Sequence, residues 1–300
     1  MKVKSKIFYW YVAFLLAFTL LLLLPAPDKA TLIKYHLSAA GLRMLDLTFI
    51  VPEALIWFAA FYGYEKMQRY SQLIKTGDEG KQIAKLARGL LILAIGLPVN
   101  AIFGATLSII AAHEPAFKNP SVIIGNYAEL VFPLLAFVWI SMGARGLGEL
   151  AKTQPRLWKL NTTALAVIIL GIAFCSLIVL DHRELRTTYH MSPELVMLTL
   201  GIPYMYIWFL GLFASVELQT YSRKVAGVVY RHGWNLLIGG VVSIVLLSIL
   251  LQYLSTLSTW LTSLSLGWVL LLLYALLLLL SGAYIVVALG ATRLTKIEEA

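Results

Sequence analysis

The chain has 300 residues, of which 60% are hydrophobic and only 13% are charged. Soluble domains carry about 25% charged residues, so this composition excludes an ordinary soluble protein and predicts an all-α polytopic membrane protein. The single cysteine, Cys175, excludes an intramolecular disulfide and a cysteine-based metal site.

The first apolar run covers residues 7–24 and follows the basic start MKVKSK. This arrangement resembles a secretory signal, but the run is longer than the roughly 7–15 residues of a usual signal core. The candidate cleavage site after Ala26 also has Leu24 and Pro27 where a signal sequence would prefer other residues. We therefore interpret the run as a first transmembrane helix.

Seven further runs are long enough to cross the hydrocarbon core, for which a helix needs about 20 apolar residues. The eight predicted spans are 7–24, 44–64, 88–112, 122–144, 160–180, 195–216, 233–254 and 266–290. With the N-terminus in the cytoplasm, most of the 24 Lys and Arg residues fall in cytoplasmic segments, which is the asymmetry that sets orientation. We therefore expect both termini in the cytoplasm and a multi-pass protein of the plasma membrane, or of the inner membrane in a prokaryote. The lipid bilayer is then its partner, and the net charge of +9 needs no nucleic acid to explain it.

An internal repeat is indicated by the stretch IVPEALIWF, residues 50–58, which returns as GIPYMYIWF, residues 201–209. The identical pairs in and around it are Thr48/Thr199, Pro52/Pro203, Ile56/Ile207, Trp57/Trp208, Phe58/Phe209, Gln68/Gln219, Tyr70/Tyr221 and Ser71/Ser222. A match of this kind predicts a duplication. The repeats 1–155 and 156–300 then each hold four spans, helices 1–4 and 5–8, and run parallel about an axis along the membrane normal.

The repeated residues also predict local mechanics. Pro52 and Pro203 each remove a helical hydrogen bond and are expected to kink their helices, and the threonines one turn earlier are placed to satisfy polar groups there. The repeated Gln-x-Tyr-Ser falls at cytoplasmic helix ends, where amphipathic side chains anchor to the interface. The pattern AxGxxxLxK, at residues 144–152 and again at 288–296, aligns the last helices of the two halves.

The two halves differ in the polar residues that they carry deep in the membrane. Glu53, Asn100 and Glu129 each lie well inside a predicted span of the first half. The second half has a tyrosine in place of the first glutamate and no carboxyl group at the other two levels. Asp46 shares a helical face with Glu53, but it is nearer the outer end, where Arg43 is a candidate ion-pair partner.

Ionisable groups at membrane depth are costly, so they point to a functional site. Two carboxyl groups there suit proton-coupled movement or cation coordination, with Glu53 as the carrier, Glu129 as its partner and Asn100 as an orienting group. The sequence leaves open a structural alternative, in which protonated glutamates form hydrogen bonds that hold helices together.

Four of the five histidines map to the predicted outer side, and His36 and His190 occupy equivalent places in the two halves. A cluster there would bind a metal ion or sense external pH, but no pair has the i, i+4 spacing of helical ligands, so solvated loop residues are the simpler interpretation. No cofactor is expected. No histidine lies deep in a span to bind haem, and the last span has no lysine for a retinal Schiff base before Lys296 at its end.

These features favour a small proton- or cation-coupled transporter or permease that moves a small molecule or ion through a polar site in the first repeat. The alternative is a non-enzymatic scaffold or sensor subunit that assembles with partner proteins. A third hypothesis is an intramembrane enzyme that acts on lipid through the outer histidines and acids. The sequence has no phosphate loop, nucleophile elbow or metalloprotease motif, which favours a non-enzymatic protein. Homo- and hetero-oligomers remain open.

Overall fold

The computed structural model describes residues 39–74, 77–114, 118–151, 192–224, 228–260 and 266–299. Every regular element in these ranges is helical. The helices are α1 (Ala39–Leu73), α2 (Gly77–His113), α3 (Lys118–Ala151), the short α4 (Pro193–Val196), α5 (Ile202–Lys224), α6 (Val228–Trp260) and α7 (Leu266–Glu299), with a π-helical turn (Met197–Gly201) between α4 and α5. The predicted spans 7–24 and 160–180 lie outside the described residues, so the number of eight stays a prediction.

Five segments in the described part are long and apolar enough to cross a membrane. They are Gly77–Gly104, Leu130–Ala151, Pro193–Arg223, Val229–Leu251 and Leu270–Glu299. Large apolar side chains on their outer faces, such as Ile95, Leu246 and Leu279, are exposed, and hydrocarbon rather than water suits such a surface. This finding confirms the prediction of an all-helical membrane protein with transmembrane helices.

Several helices extend beyond the apolar spans that composition defines. The chain between the second and third predicted spans is mostly helical: α1 continues to Leu73 and α2 already begins at Gly77. Asp78 and Glu79 lie in the first turn of α2, where carboxylates are favoured by the helix dipole. The charged link is therefore formed largely by helix ends.

The six long helices of the described ranges form a closed ring in which each packs mainly against two of the others. The order is α1, α2, α3, α5, α6, α7 and back to α1. Helices that follow one another through a short connection are antiparallel. The ring closes through two parallel pairs: Gly148 of α3 lies against Glu217 of α5, and Thr295 of α7 donates a hydrogen bond of 2.9 Å to the Lys66 carbonyl of α1.

The antiparallel pairs approach closely because glycines lie in the contacts. A Cβ atom at Gly89 would lie 2.4 Å from Ile140 Cγ1 and 2.8 Å from the Ala136 carbonyl oxygen. In the other half, a Cβ atom at Gly240 would lie 2.9 Å from the Ala283 carbonyl oxygen. Small residues allow helix backbones to come together in this way, and this contact is a main source of packing energy inside a membrane.

One end of the ring is rich in basic side chains. We call it the basic end and define it by the exposed residues Arg69, Lys81, Arg145, Arg223 and Lys296. The helices α1, α3, α5 and α7 finish there, and cations are favoured at helix C-termini. The excess of Lys and Arg predicts that this end faces the cytoplasm, and the orientation stays a prediction.

Candidate functional site

Glu53 lies on the inward flank of α1. The side chains three, four and seven positions later, Ile56, Trp57 and Ala60, are all buried, and residues at these spacings share one side of a helix. The Glu53 side chain itself is half-buried, and among the described residues no hydrogen bond or ion pair involves its carboxyl group. The first half of the chain therefore places an ionisable group beside a closely packed face.

The register between α1 and α2 places Asn100 at the level of Glu53. A Cβ atom at Gly63 would lie 3.5 Å from Leu90 Cδ1. Because the helices are antiparallel, moving ten residues back along α1 corresponds to moving ten residues forward along α2, which leads from this contact to Glu53 and Asn100. Asn100 is also half-buried, one turn beyond the buried Gly96.

The register between α2 and α3 continues the same level. A Cβ atom at Gly96 would lie 2.3 Å from Phe132 Cβ, so the chain four residues further along α2 faces the chain four residues earlier in α3. Asn100 is thus level with Ala128 and Glu129. The backbone of α3 is described here but the Glu129 side chain is not, so a cavity shared by the two carboxyl groups stays a prediction.

Ser281 of α7 contacts the same level of α1 from the other side. Its Oγ lies 2.9 Å from the Pro52 carbonyl oxygen and 2.7 Å from the Leu277 carbonyl oxygen, and the side chain is buried. The hydroxyl therefore joins α7 to the backbone carbonyl that directly precedes Glu53. This contact fixes the position of α1 where the candidate site begins.

Ser281→Ala is expected to lower the melting temperature of the purified protein by about 2–4 °C, because a net hydrogen bond contributes about 1 kcal/mol. Ser248→Ala is the matched control, since the Ser248 hydroxyl donates only within its own helix, to the Ile244 carbonyl oxygen at 2.7 Å. Thermal unfolding followed by intrinsic fluorescence measures both. Equal shifts in the two variants would show that the bond to Pro52 adds nothing.

The two repeated prolines have different surroundings. Pro52 lies inside the continuous helix α1, whereas Pro203 follows the π-helical turn at the start of α5. A π turn holds an extra residue and is one way for a helix to accommodate proline. The Thr199 hydroxyl donates to the Leu195 carbonyl oxygen at 2.5 Å. The Thr199 side chain therefore bonds the carbonyl one turn before it. The Thr199 backbone carbonyl is the one that loses its α-helical partner, because Pro203 has no N–H group.

The remaining candidates receive little structural description. Asp46 lies on α1, but its side chain is not described, and His36 and His190 lie outside the described residues. In the part of the chain that is described, no group of three or more His, Cys, Asp or Glu side chains is placed to hold a metal ion. The histidine site therefore stays a prediction.

A cluster at the basic end was missed by sequence reasoning. Tyr70 and Tyr221, expected as interfacial anchors, are instead buried at 3% and 2% exposure. Both rings pack edge-on against the fully buried Trp234, with centroids 6.2 Å and 5.1 Å away. The Tyr221 hydroxyl donates to a Glu79 carboxylate oxygen. The expectation was wrong because these tyrosines lie on the inner rather than the outer face of their helices.

The electrostatics of this cluster keep Tyr70 neutral. Burial raises the pKa of the Tyr70 hydroxyl above its usual range, and the nearby carboxylates of Glu79 and Glu298 raise it further. The only sequence signal for the cluster is the return of the same tyrosine in both halves, because Glu79 and Trp234 are not repeated. The sequence gives the position of the tyrosines but not the face on which they lie.

The chain was compared with protein-family models, with curated proteins and with solved structures. No family model, curated protein or solved structure matches it.

Proposed function

We propose that the protein is a small transporter, coupled to protons or to a cation, and built from two parallel four-helix repeats with both termini in the cytoplasm. The observation that carries the functional part is the common level of Glu53, Asn100 and Glu129 on three successive helices. A polar layer at this depth is costly unless it serves a substrate or ion. The corresponding positions of the second half carry no carboxyl groups, which suits a single site rather than two.

The order of packing supports the repeat. The sequence of neighbours around the ring is unchanged when α1, α2 and α3 are exchanged for α5, α6 and α7. Aromatic contacts agree: Phe58 stacks on Tyr62 with centroids 6.2 Å apart and an angle of 11°. After the shift of 151 residues that relates Pro52 to Pro203, Phe209 stacks on Phe213 at 6.3 Å and 17°.

Burial along α2 and α6 supports the same shift. The pairs exposed in both helices are Asp78/Val229, Lys81/His232, Arg88/Gly239, Ile95/Leu246 and Val99/Leu250. The pairs buried in both are Ile83/Trp234, Leu86/Leu237, Gly89/Gly240, Leu90/Val241, Leu93/Ile244 and Ala94/Val245. Agreement on both faces is stronger support than residue identity in such an apolar sequence, because burial depends on the position of neighbouring helices.

Contacts of the last helices favour a shift of 147 residues, from Gly143 to Gly290, over the shift of 144 that the AxGxxxLxK match gives. A Cβ atom at Gly143 would lie 2.7 Å from the Gln82 carbonyl oxygen. One at Gly290 would lie 2.8 Å from the Gly233 carbonyl oxygen, and Gln82 and Gly233 are themselves 151 residues apart. The same helices therefore correspond to each other in the proposed repeat, but the residues of its last helix pair at a shift of 147 rather than 144.

The transport proposal is tested by current measurements on the purified full-length protein in liposomes adsorbed to a solid support. Amino acids, sugars, nucleobases and organic cations are offered in turn, each with and without a proton or sodium gradient. We expect a current that needs both one solute class and the ion gradient. Absence of any such current, together with copurification of a partner protein in fixed ratio, would replace the proposal with the scaffold or sensor alternative.

A further inference from the structure

The buried cluster at the basic end connects helices that are not neighbours in the ring. We call Tyr70, Glu79, Tyr221 and Trp234 the inner cluster. Tyr70 of α1 packs against Trp234 of α6, and the Tyr221 hydroxyl of α5 donates to Glu79 of α2. Neither α1–α6 nor α2–α5 is among the main packing pairs. The cluster therefore crosses the interior of the ring.

The inner cluster also combines the two proposed repeats. Tyr70 and Tyr221 are equivalent under the shift of 151 residues, so one tyrosine from each half contacts the same indole ring. Glu79 is equivalent to Tyr230, just as Glu53 is equivalent to Tyr204. At two inward positions, then, the first half has an acid where the second half has a tyrosine.

The two acidic positions lie at different depths along the ring. Glu79 is in the first turn of α2 at the basic end, and Asn100, which is level with Glu53, lies 21 residues further along that helix. At 1.5 Å per residue the two levels are about 30 Å apart. Between them the inward residues Ile83, Leu90 and Leu93 are apolar and buried.

We propose that the inner cluster is the gate that closes the transport path at the basic end, and that Glu79 is the acidic group at which an ion enters or leaves there. This inference rests on the proposed function. The Tyr221–Glu79 hydrogen bond holds α5 to α2 in the closed state, and the edge-on packing of Tyr70 and Tyr221 against Trp234 fills the interior beside it. Opening separates α5 from α2 and exposes Glu79 to water.

Cysteine labelling tests the gate without any knowledge of the substrate. Cys175 is replaced by serine, and Ala60→Cys provides a reporter on the buried face of α1. Ala60 lies ten residues before Tyr70, so it is about 15 Å deeper in the ring. Inside-out and right-side-out membrane vesicles are treated separately with a membrane-impermeant maleimide, and the rate of labelling is measured.

Tyr221→Phe removes the hydroxyl but keeps the ring, and we expect it to increase the labelling rate about tenfold in inside-out vesicles, because a hydrogen bond to a carboxylate is lost only from the closed state. Tyr230→Phe is the matched control. Its hydroxyl donates to Glu298 at 3.0 Å, a bond between the neighbouring helices α6 and α7, so the labelling rate should not change.

Each outcome separates the gate from the transport proposal. Unchanged labelling in Tyr221→Phe, or an equal increase in Tyr230→Phe, would overturn the gate even if transport is measured. An increase restricted to Tyr221→Phe supports closure by the inner cluster, and if no solute then gives a current, that closure stands while its assignment to a transport path fails with the transport proposal. If Tyr221→Phe does not reach the membrane, Glu79→Gln weakens the same bond from the other partner and carries the same expectation.

Discussion

Glu53→Gln is expected to reduce the ion-dependent solute current by about 100-fold or to background, while the protein folds and reaches the membrane normally. Glutamine keeps the size and polarity of the side chain but cannot carry a proton or a negative charge, and groups that transfer protons contribute about 100-fold or more to the processes they serve. The expectation follows from the half-buried position of Glu53 beside a closely packed face. The measurement is the solute current per unit of reconstituted protein.

Glu65→Gln is the matched control for this substitution. Glu65 is a half-buried residue of the same helix, twelve positions closer to the basic end, and its loss should leave the current within about twofold of the unmodified protein. Glu129→Gln and Asn100→Ala should each reduce the current as well, since they share the level of Glu53. Normal current in Glu53→Gln and Glu129→Gln together would assign the carboxyl groups to helix packing and end the transport hypothesis in this form.

The helices themselves could be predicted because their signal is local. Long apolar runs without charge must form helices in a membrane, and six of the eight predicted spans coincide with helices in the described part of the chain. The helix ends were less predictable, because the Lys- and Glu-rich segments beside the spans are good helix formers. Helices such as α1 and α2 therefore continue into segments that hydropathy treats as loops.

The candidate polar residues were also identifiable, because charge at depth is rare and visible in composition. The sequence did not show that these residues lie at a common level. That level depends on which residues of α1, α2 and α3 face one another, and this register is set by the close approaches at Gly63 and Gly96. Many registers are compatible with the hydrophobic pattern, so a contact seen in the structure is needed to choose among them.

The register of the last helices shows the same limit. The AxGxxxLxK match pairs Leu150 with Leu294, but Leu150 is 50% exposed and Leu294 is fully buried. At the shift of 147 residues, Leu294 instead pairs with Leu147, which is also fully buried. Small residues recur every three or four positions in both helices, so identities also arise at an alignment that differs by about one turn from the one that burial favours.

At two pairs of positions related by the proposed duplication, the first half has an acid and the second half has a tyrosine. This difference suggests different roles for the two halves. Glu53 and Glu79 are in the first half, and under the proposed duplication Tyr204 and Tyr230 take their places in the second. A tyrosine can fill the space and donate a hydrogen bond, yet it does not carry charge near neutral pH. The second half would then complete the packing and contribute Tyr221 to the gate, while the first half carries the ionisable groups.

Gly240→Ala is expected to destabilise the protein, because forcing extra volume into a packed core costs about 1–3 kcal/mol. The new Cβ atom would lie 2.5 Å from Val287 Cγ2 and 2.9 Å from the Ala283 carbonyl oxygen. The side chain can move, but the carbonyl is backbone, so α6 and α7 must separate. The higher helix propensity of alanine offsets roughly 1 kcal/mol of that cost, so the expected net loss is up to about 2 kcal/mol. Thermal unfolding in one detergent measures the difference.

Gly239→Ala is the matched control, because it shows how alanine changes stability at a position without a close contact. A Cβ atom at Gly239 would meet nothing within 4 Å, so only the gain in helix propensity remains and stability should be unchanged or higher. Gly89→Ala, in the equivalent contact of the first half, should cost about as much as Gly240→Ala, because its Cβ atom would meet Ile140 Cγ1 at 2.4 Å. A similar loss in Gly239→Ala would contradict the close contact of α6 with α7. A neutral Gly89→Ala beside a costly Gly240→Ala would count against equivalent packing in the two halves.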